Sequence, residues 1–212
     1  MNRKSTIVVI DDHPLFRRGA SQLIAMDNSL ELVGEAAGGA EGIALLEDAC
    51  PDLVLLDLNM KGMDGLETLQ VIKQNKPDCR VVMLTVSDEQ EDVVAALRLG
   101  ADGYLLKDAE PEDVLASLKR AVEGRLVLDD RVFDYIALAL RTEAVPRTPA
   151  EAALTRREHE ILLLIAEGLS NKLIARDLEI TENTVKVHVK HLLRKLNLRT
   201  RVEAAVWATK HE

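Results

Sequence analysis

The sequence has few of the residues that mark several large classes of protein. Only 2% of its residues are aromatic, and its two cysteines, Cys50 and Cys79, form no C-x-x-C pair. We therefore expect free thiols in a reducing cytoplasm rather than a disulfide framework. No apolar run approaches the roughly 20 residues of a membrane-spanning helix, so no membrane partner is expected. The N-terminus has only four apolar residues before two aspartates, which argues against a signal peptide.

One stretch lacks acidic residues altogether, although the whole chain has a net charge of −9. Between Asn183 and Val202 there are six Lys or Arg and no Asp or Glu. Residues 1–149 carry 16 basic and 27 acidic side chains, whereas residues 150–212 carry 11 and 9 and hold four of the five histidines. This asymmetry favours two domains with different partners, while charge alone also fits a solvated basic helix face.

The first 125 residues alternate short apolar segments with helical patterns. The apolar segments are rich in Val, Ile and Leu, as are strands buried on both faces, and they span residues 6–10, 30–33, 53–56, 80–84 and 103–106. Helical spacing lies between them, for example over 14–26 and 88–99, and Gly100 is suited to end the second of these. The alternation predicts an α/β domain over residues 1–125, with a five-stranded parallel sheet covered on both sides.

The remainder predicts a linker and a helical domain. Over residues 126–150 we expect a helix at 129–141 and then an exposed tether that contains Pro146 and Pro149. Over residues 151–212 the sequence predicts only helices. Each is preceded by a capping residue, namely Thr155, Ser170, Thr181 and Thr200. Short helices separated by a few residues, with a basic third helix, indicate a helix-turn-helix arrangement.

Five polar side chains lie where predicted strands end: Asp11, Asp12, Asp57, Thr85 and Lys107. Because ligands of open parallel sheets bind at the carboxyl ends of the strands, we expect these groups to converge. Three clustered carboxylates repel one another unless a cation lies among them, and Mg²⁺ prefers such oxygens. A carboxylate beside Mg²⁺ can become an aspartyl phosphate, with an ammonium and a hydroxyl holding the phosphoryl oxygens. The alternative is that each aspartate only forms a turn.

This constellation resembles the receiver domains of bacterial response regulators, which implies a flavodoxin-like fold over residues 5–125. The resemblance implies that Asp57 takes a phosphoryl group from a phosphohistidine of a sensor histidine kinase. It also implies Asp11 or Asp12, together with Asp57 and the backbone carbonyl of Asn59, as Mg²⁺ ligands. Thr85 and Tyr104 correspond to a switch pair, in which the hydroxyl moves to the phosphate and the ring follows.

Two positions depart from the pattern of many receiver domains. Met60-Lys61-Gly62 stands where Met-Pro-Gly is common, and Lys107-Asp108 stands where Lys-Pro is common. Neither change removes a phosphoryl-binding group. We expect them to affect the dimer surface or the rate of switching rather than the chemistry.

The C-terminal segment resembles the LuxR-type helix-turn-helix from Leu154 to about Ala205, on the motifs L-T-R-R-E-H-E, A-E-G-L-S-N-K and T-V-K-V-H-V. Together the halves resemble a response regulator of the NarL/FixJ family. The segments L-D-L-N-M-K-G-M and G-A-D-G-Y-L-L-K-D resemble, more narrowly, its nitrate/nitrite regulators. The resemblance implies a transcription regulator rather than an enzyme. Its partners would be two DNA half-sites, a second copy of the chain and RNA polymerase.

The basic segment 184–196 first alternates valine with polar residues, as a strand does. On a helix, however, Val185, Leu192, Leu193 and Leu196 fall within about 60° of Val189, which gives one apolar face. Val187 lies nearly opposite, where an exposed valine suits contact with a thymine methyl group. By resemblance, the readers of base edges are Lys186, Val187 and Lys190. The residues better placed for phosphates are Thr181, Thr184, Arg194 and Lys195.

We hypothesise that the acidic receiver covers the basic helix until phosphorylation frees the C-terminal domain to bind DNA as a dimer. The rival is an aspartyl-phosphate phosphohydrolase with Asp57 as nucleophile. Such enzymes usually place an acid/base aspartate two residues further on, where this chain has Asn59. A module acting only through protein contacts would leave the basic helix unexplained. Trp207, in the last predicted helix, is assigned either to the core or to a dimer surface.

Overall fold

The computed structural model describes most of the chain, namely residues 3–129, 131–135, 148–149 and 152–211. These residues form two compact units. The first runs to Glu123 and includes Val127–Asp129, and the second comprises Gly124–Leu126 and the described residues from 131 onward. Within the described ranges, no helix combines the length and the apolar character needed to cross a membrane.

The first unit contains a parallel sheet of six strands in the order β2-β1-β3-β4-β5-β6. The strands are Ser5–Ile10 (β1), Leu30–Ala36 (β2), Leu53–Leu56 (β3), Arg80–Thr85 (β4), Gly103–Leu106 (β5) and Val127–Leu128 (β6). All five predicted strands are present. β6 lies in the predicted linker, and its two residues are too few to show any periodicity in the sequence. The order of the first five strands is that of flavodoxin-like folds.

Five helices connect these strands: Pro14–Ala25 (α1), Gly39–Asp48 (α2), Gly65–Asn75 (α3), Gln90–Arg98 (α4) and Pro111–Val122 (α5). α1 packs on α5, and α2, α3 and α4 pack in series. Residues from β1, β3 and β4 form one core cluster with Ile24 of α1 and Leu118 of α5. Burying each such aliphatic side chain contributes about 1.5–3 kcal/mol. Gly100 follows α4 with φ +98°, the left-handed conformation expected for a residue that ends a helix.

A close contact fixes the start of α3 beneath the end of β3. The N–H of Gly65 donates to the carbonyl oxygen of Leu58 at 2.8 Å. A Cβ atom at Gly65 would overlap the carbonyl oxygen of Asp57 and the Cα of Leu58. A larger residue at position 65 would therefore displace the loop that carries Asp57.

The second unit is helical, with Arg156–Ala166 (α6), Asn171–Asp177 (α7), Glu182–Leu196 (α8) and Arg201–His211 (α9). The predicted caps of α6, α7 and α8 are confirmed. Thr155 and Glu158 form a reciprocal capping box, and the hydroxyls of Ser170 and Thr181 each accept a backbone N–H. Before α9, Thr200 accepts from the N–H of Glu203, whereas the Glu203 carboxylate accepts from the N–H of Arg199.

α6 packs on α8 and α9, and α7 packs on α8, so the third and fourth helices share a core with the first. The largest buried side chains there include Trp207 and Ile161. Residues 131–135 are helical, and Val132 is fully buried. The rest of the helix predicted over 129–141, and the tether residues around Pro146, lie outside the described residues.

Candidate acidic site and nucleic-acid interface

Two carboxylates and one ammonium meet where three strands end. Asp11 follows β1, Asp57 follows β3 and Lys107 follows β5. Lys107 Nζ lies 2.7 Å from Asp11 Oδ2 and 3.1 Å from Asp57 Oδ2. None of the three side chains is more than 6% exposed. The structure thus brings three of the predicted site residues into one buried ion cluster.

Backbone donors orient both carboxylates. The N–H of His13 donates to Asp11 Oδ1 at 2.8 Å, and the N–H of Leu58 donates to Asp57 Oδ1 at 2.8 Å. Hydrogen bonds to an ionised acceptor are about twice as strong as neutral ones, so they hold these side chains firmly. Each carboxylate keeps its second oxygen directed at Lys107. The acidic groups are therefore oriented by the fold itself.

The charges in this cluster do not balance. Burial raises the pKa of the Asp57 carboxyl, the nearby Lys107 ammonium lowers it, and the neighbouring Asp11 raises it, with a net shift upward. A raised pKa means that the site disfavours the full negative charge that its carboxylates carry when ionised. A further cation beside them would favour the ionised form of Asp57.

Asp12 supplies a carboxylate oxygen with no hydrogen-bond donor in the described part of the chain. Its Oδ2 accepts from the N–H of Lys61 at 3.1 Å, whereas its Oδ1 is buried and unsatisfied. His13 Nδ1 lies 2.9 Å from that Oδ1, although not in hydrogen-bonding geometry. Ligand atoms of Asp11, Asp12, His13 and Asp57 all lie within 4.8 Å of one another. An unsatisfied buried oxygen among carboxylates fits a hard divalent cation such as Mg²⁺.

Asn59 lies two residues after Asp57, and its side chain is exposed. The backbone turns at Asn59, because the N–H of Met60 donates to the carbonyl oxygen of Leu58 at 3.2 Å. Metal binding by the backbone carbonyl of Asn59 stays a prediction.

Thr85 and Tyr104 are both fully buried and are linked through Ser87. The hydroxyl oxygen of Thr85 accepts from the N–H of Ser87 at 3.2 Å, and the Tyr104 hydroxyl donates to the carbonyl oxygen of Ser87 at 3.0 Å. The Ser87 hydroxyl in turn donates to Asp92 Oδ2 at 2.6 Å, at the start of α4. Burial raises the pKa of Tyr104, so its hydroxyl stays protonated as a donor. One serine therefore connects the predicted switch pair to α4.

Sequence reasoning missed three residues at this site: His13, Phe16 and Ser87. His13 directly follows the pair of aspartates, and Ser87 lies two residues after Thr85, so proximity in sequence was the available signal. Phe16 is 40% exposed, and its ring centroid lies 4.6 Å from Lys107 Nζ. A cation–π contact of this kind restrains the Lys107 ammonium, which also pairs with the carboxylates of Asp11 and Asp57.

The structure confirms that the basic segment forms one helix, α8, with one apolar face. Val185, Leu192 and Leu196 of that face are fully buried, whereas Val189, at the centre of the predicted face, and Leu193 are only partly buried. Val187 is 53% exposed on the opposite side. Lys186 and Lys190 are also exposed, and Lys186 Nζ lies 3.9 Å from Glu182 Oε1. An apolar side chain between two exposed lysines can contact a base edge while the ammonium groups approach DNA.

The residues predicted to contact phosphates differ in their surroundings. Thr181 caps α8, and its hydroxyl lies 2.8 Å from that of Thr184. Both groups sit at a helix N-terminus, where unpaired N–H groups attract anions. Arg194 is exposed in the last turn of the helix. Contact of these residues with DNA stays a prediction.

Lys195, also predicted to contact phosphates, is paired within the protein. Its ammonium lies 2.7 Å from Glu158 Oε2 and donates to the carbonyl oxygen of Ala153 at 2.9 Å. Glu158 is 3% exposed, so moving Lys195 to a phosphate would leave a buried carboxylate without its cation. We therefore assign Lys195 to holding α8 against the start of α6.

Trp207 is 1% exposed, which favours the core over an open dimer surface. Its ring stacks on His211 with centroids 4.8 Å apart and an interplanar angle of 13°. Its neighbours Val202, Ala205 and Val206 are buried as well.

Two family models match the chain. The response regulator receiver domain matches residues 7–119, and the luxR family of bacterial regulatory proteins matches residues 152–208. The chain therefore belongs to the two-component response regulators that join a receiver domain to a LuxR-type DNA-binding domain. It is a regulator of transcription under the control of phosphorylation.

Two curated relatives span nearly the whole length. The nitrate/nitrite response regulator protein NarL of Escherichia coli (strain K12) is 53% identical over 203 residues, which cover 96% of this chain and 94% of that protein. The nitrate/nitrite response regulator protein NarP of the same strain is 46% identical over 200 residues, with 94% and 92% covered. Among solved structures, the signal receiver domain of response regulator NarL from Mycobacterium tuberculosis is 36% identical with a TM-score of 0.56. It covers 58% of this chain and 100% of that one.

Proposed function

We propose that Asp57 is the phosphoacceptor of this regulator and that a sensor histidine kinase is the donor. The observation that carries the proposal is the buried cluster in which Lys107 Nζ contacts both Asp11 and Asp57. The N–H of Leu58 holds one Asp57 oxygen, so the carboxylate is already oriented before a phosphoryl donor arrives.

In the proposed transfer, an oxygen of Asp57 bonds to phosphorus as the bond from phosphorus to the donor's histidine nitrogen breaks. The imidazole leaves with its electron pair and takes a proton from solvent. Lys107, close to both carboxylates, holds a phosphoryl oxygen, and the Thr85 hydroxyl donates to another. Mg²⁺ bound by Asp11, Asp12, Asp57 and the carbonyl of Asn59 would supply charge neutralisation at the phosphoryl group.

Phosphorylation then acts through the Thr85–Ser87–Tyr104 connection. If the Thr85 hydroxyl turns to the phosphoryl group, the N–H of Ser87 loses its acceptor. Ser87 also binds Tyr104 and Asp92, so a shift at this residue alters the start of α4. We propose that this change frees residues 151–212, joined to the receiver (1–125) by residues 126–150, to bind DNA.

On DNA we propose a dimer on two half-sites, in which α8 of each copy enters the major groove. Lys186, Val187 and Lys190 read base edges, while Thr181, Thr184 and Arg194 contact phosphates. We propose RNA polymerase as a further partner at the promoter. Because DNA and RNA polymerase lie in the bacterial cytoplasm, we propose that the protein acts there. The signal we propose is nitrate or nitrite, because both full-length relatives named above are nitrate/nitrite response regulators.

The rival function, an aspartyl-phosphate phosphohydrolase, requires an acid/base group beside the nucleophile. The residue two positions after Asp57 is Asn59, whose amide cannot exchange a proton as a carboxyl group does. We therefore propose that the chain accepts a phosphoryl group to change its DNA affinity, not to turn over a substrate.

Phosphorylation can be tested with acetyl phosphate as a small-molecule donor, with the phosphorylated form separated on a phosphate-affinity gel. The wild-type chain should be modified in the presence of Mg²⁺, and Asp57→Asn should not. Asp88→Asn, at an exposed carboxylate in the loop after β4, is the matched control and should behave as wild type. Equal modification of wild type and Asp57→Asn would refute the assignment.

A further inference from the structure

His13 is the one imidazole at the acidic site, and the proposed metal ligands leave it without a role. Its Nδ1 lies 2.9 Å from Asp12 Oδ1 and 3.8 Å from Asp11 Oδ1. Its side chain is 61% exposed, so it stands at the mouth of the site while the carboxylates of Asp11 and Asp57 lie inside.

The shorter of these distances also suits two ligands of one ion. Two atoms about 2.1 Å from a shared cation lie about 3 Å apart when they occupy neighbouring coordination positions. The 2.9 Å separation of His13 Nδ1 and Asp12 Oδ1 matches that value. The two groups form an ion pair when the imidazole is protonated, but their geometry is not that of a hydrogen bond, and Asp12 Oδ1 is buried without a donor. An ion between them would satisfy both.

Local structure holds the imidazole in place. His13 precedes Pro14, and a proline disfavours helical conformation in the residue before it, which agrees with the extended φ of −87° and ψ of 108° at His13. The backbone N–H of His13 is fixed on Asp11 Oδ1. The imidazole also makes an edge-to-face contact with the ring of Phe16, with centroids 6.2 Å apart and planes at 84°. This contact restrains the imidazole.

We propose that His13 is a nitrogen ligand at the acidic site, so that the site binds a first-row transition ion such as Co²⁺ or Mn²⁺ more tightly than Mg²⁺. The inference rests on the proposed function, since it uses the same cation site. Mg²⁺ takes oxygen ligands and keeps several waters, so it gains little from an imidazole. Imidazole suits the borderline divalent ions, and affinity rises from Mn²⁺ to Co²⁺ in most mixed sites.

The test titrates untagged full-length protein with Co²⁺ and, separately, with Mg²⁺ by isothermal titration calorimetry. His13→Gln should weaken Co²⁺ binding by at least about tenfold and change Mg²⁺ binding by less than about twofold, because even an outer-shell partner is worth about 10–100-fold in metal affinity. The visible absorption of bound Co²⁺ should also change, since a nitrogen ligand is replaced by oxygen.

Two controls locate the bound ion. The double variant His188→Gln, His191→Gln removes the two histidines that lie three residues apart on α8 and should leave both affinities unchanged. Excess Mg²⁺ should displace Co²⁺ from the site that His13 serves. If His13→Gln binds both ions as wild type does, His13 is not a ligand and the inference fails.

Equal weakening of both ions would also overturn it, because His13 would then act by positioning Asp12 rather than by binding metal. Neither result would affect the assignment of Asp57 as phosphoacceptor, provided that Mg²⁺ binds and Asp57 is modified. Failure of wild-type protein to bind either ion would instead count against the cation site of the proposed function.

Discussion

Lys195 Nζ lies 2.7 Å from Oε2 of Glu158, across the interface between α8 and α6. The same carboxylate closes the capping box at the start of α6, where it accepts from the N–H of Thr155 at 2.8 Å. One buried glutamate therefore fixes both the N-terminus of α6 and the last turn of α8. We therefore propose that Lys195 stabilises the packing of α8 on α6 rather than contacting DNA.

This pairing predicts a difference between two neighbouring basic residues. Replacing Arg194 by Met should reduce the dependence of DNA affinity on salt, because each phosphate contact contributes a slope of about 0.9. Lys195→Met should leave that slope unchanged while lowering the free energy of unfolding by about 1–3 kcal/mol, since Glu158 loses its charged partner. DNA affinity measured over a series of salt concentrations, together with urea unfolding, separates the two effects. A reduced slope in Lys195→Met would return that residue to the DNA surface.

The lowered pKa of Glu158 leads to a prediction of how the stability of the protein depends on pH. Burial raises the pKa of Glu158, but the Lys195 ammonium and the donors of Thr155 together outweigh it, so the pKa lies below the usual 4.5. A carboxyl with a lowered folded-state pKa contributes stability above its ordinary value, and that stability is lost as the pH falls through the folded pKa. Glu158→Gln should therefore be less stable than wild type at pH 7, with the difference shrinking below about pH 4.5. Thermal unfolding across this range checks it, and a constant difference would contradict the ion pair.

Val187 predicts a contact with a specific chemical group on DNA. Replacing thymine by uracil at one position of the site removes only the methyl group that an exposed valine can touch. Val187→Ala should bind the thymine site more weakly than wild type does. Replacing thymine by uracil should then reduce the affinity of the variant less than it reduces the affinity of wild type, with a coupling free energy of about 1 kcal/mol. The fold should be unaffected, because a surface substitution changes stability by about 0.5 kcal/mol or less. If protein and DNA changes are additive at every position of the site, Val187 does not read a methyl group.

Asp12 predicts a link between metal binding and stability. If Mg²⁺ binds the folded chain as proposed, it should raise the melting temperature of wild type. Asp12→Asn should reduce that rise and, without Mg²⁺, should stabilise the chain by about 1–2 kcal/mol, because it removes a negative charge that lies close to Asp11 and Asp57. Asp48→Asn, at an exposed residue of α2, is the control. An unchanged response to Mg²⁺ in Asp12→Asn would exclude Asp12 from the site.

Much of this could be predicted because it is encoded locally. The strand segments, the caps at Thr155, Ser170 and Thr181, and the exposed side of α8 all follow from residue type and spacing within a few residues. The strand-end aspartates converge with Lys107 because parallel strands bring their carboxyl ends to one edge of the sheet.

The rest depends on distant pairs or on rotamers. Lys195 and Glu158 are 37 residues apart in sequence, so the position of Lys195 on its helix does not identify Glu158 as its partner. The imidazole of His13 could face solvent or the carboxylates, and only its rotamer places it beside Asp12. β6 is stabilised by pairing with β5, since two residues carry no pattern of their own.

The central claim is that phosphorylation of Asp57 controls DNA binding, and fluorescence anisotropy on promoter DNA tests it most directly. Wild type and Asp57→Asn are each measured with and without acetyl phosphate and Mg²⁺, with modification confirmed on the same samples. We expect phosphorylated wild type to bind at least about tenfold more tightly, within the usual range of coupling between two sites, and Asp57→Asn to be unaffected. Fully phosphorylated wild type that binds no more tightly than the unmodified chain would contradict the account.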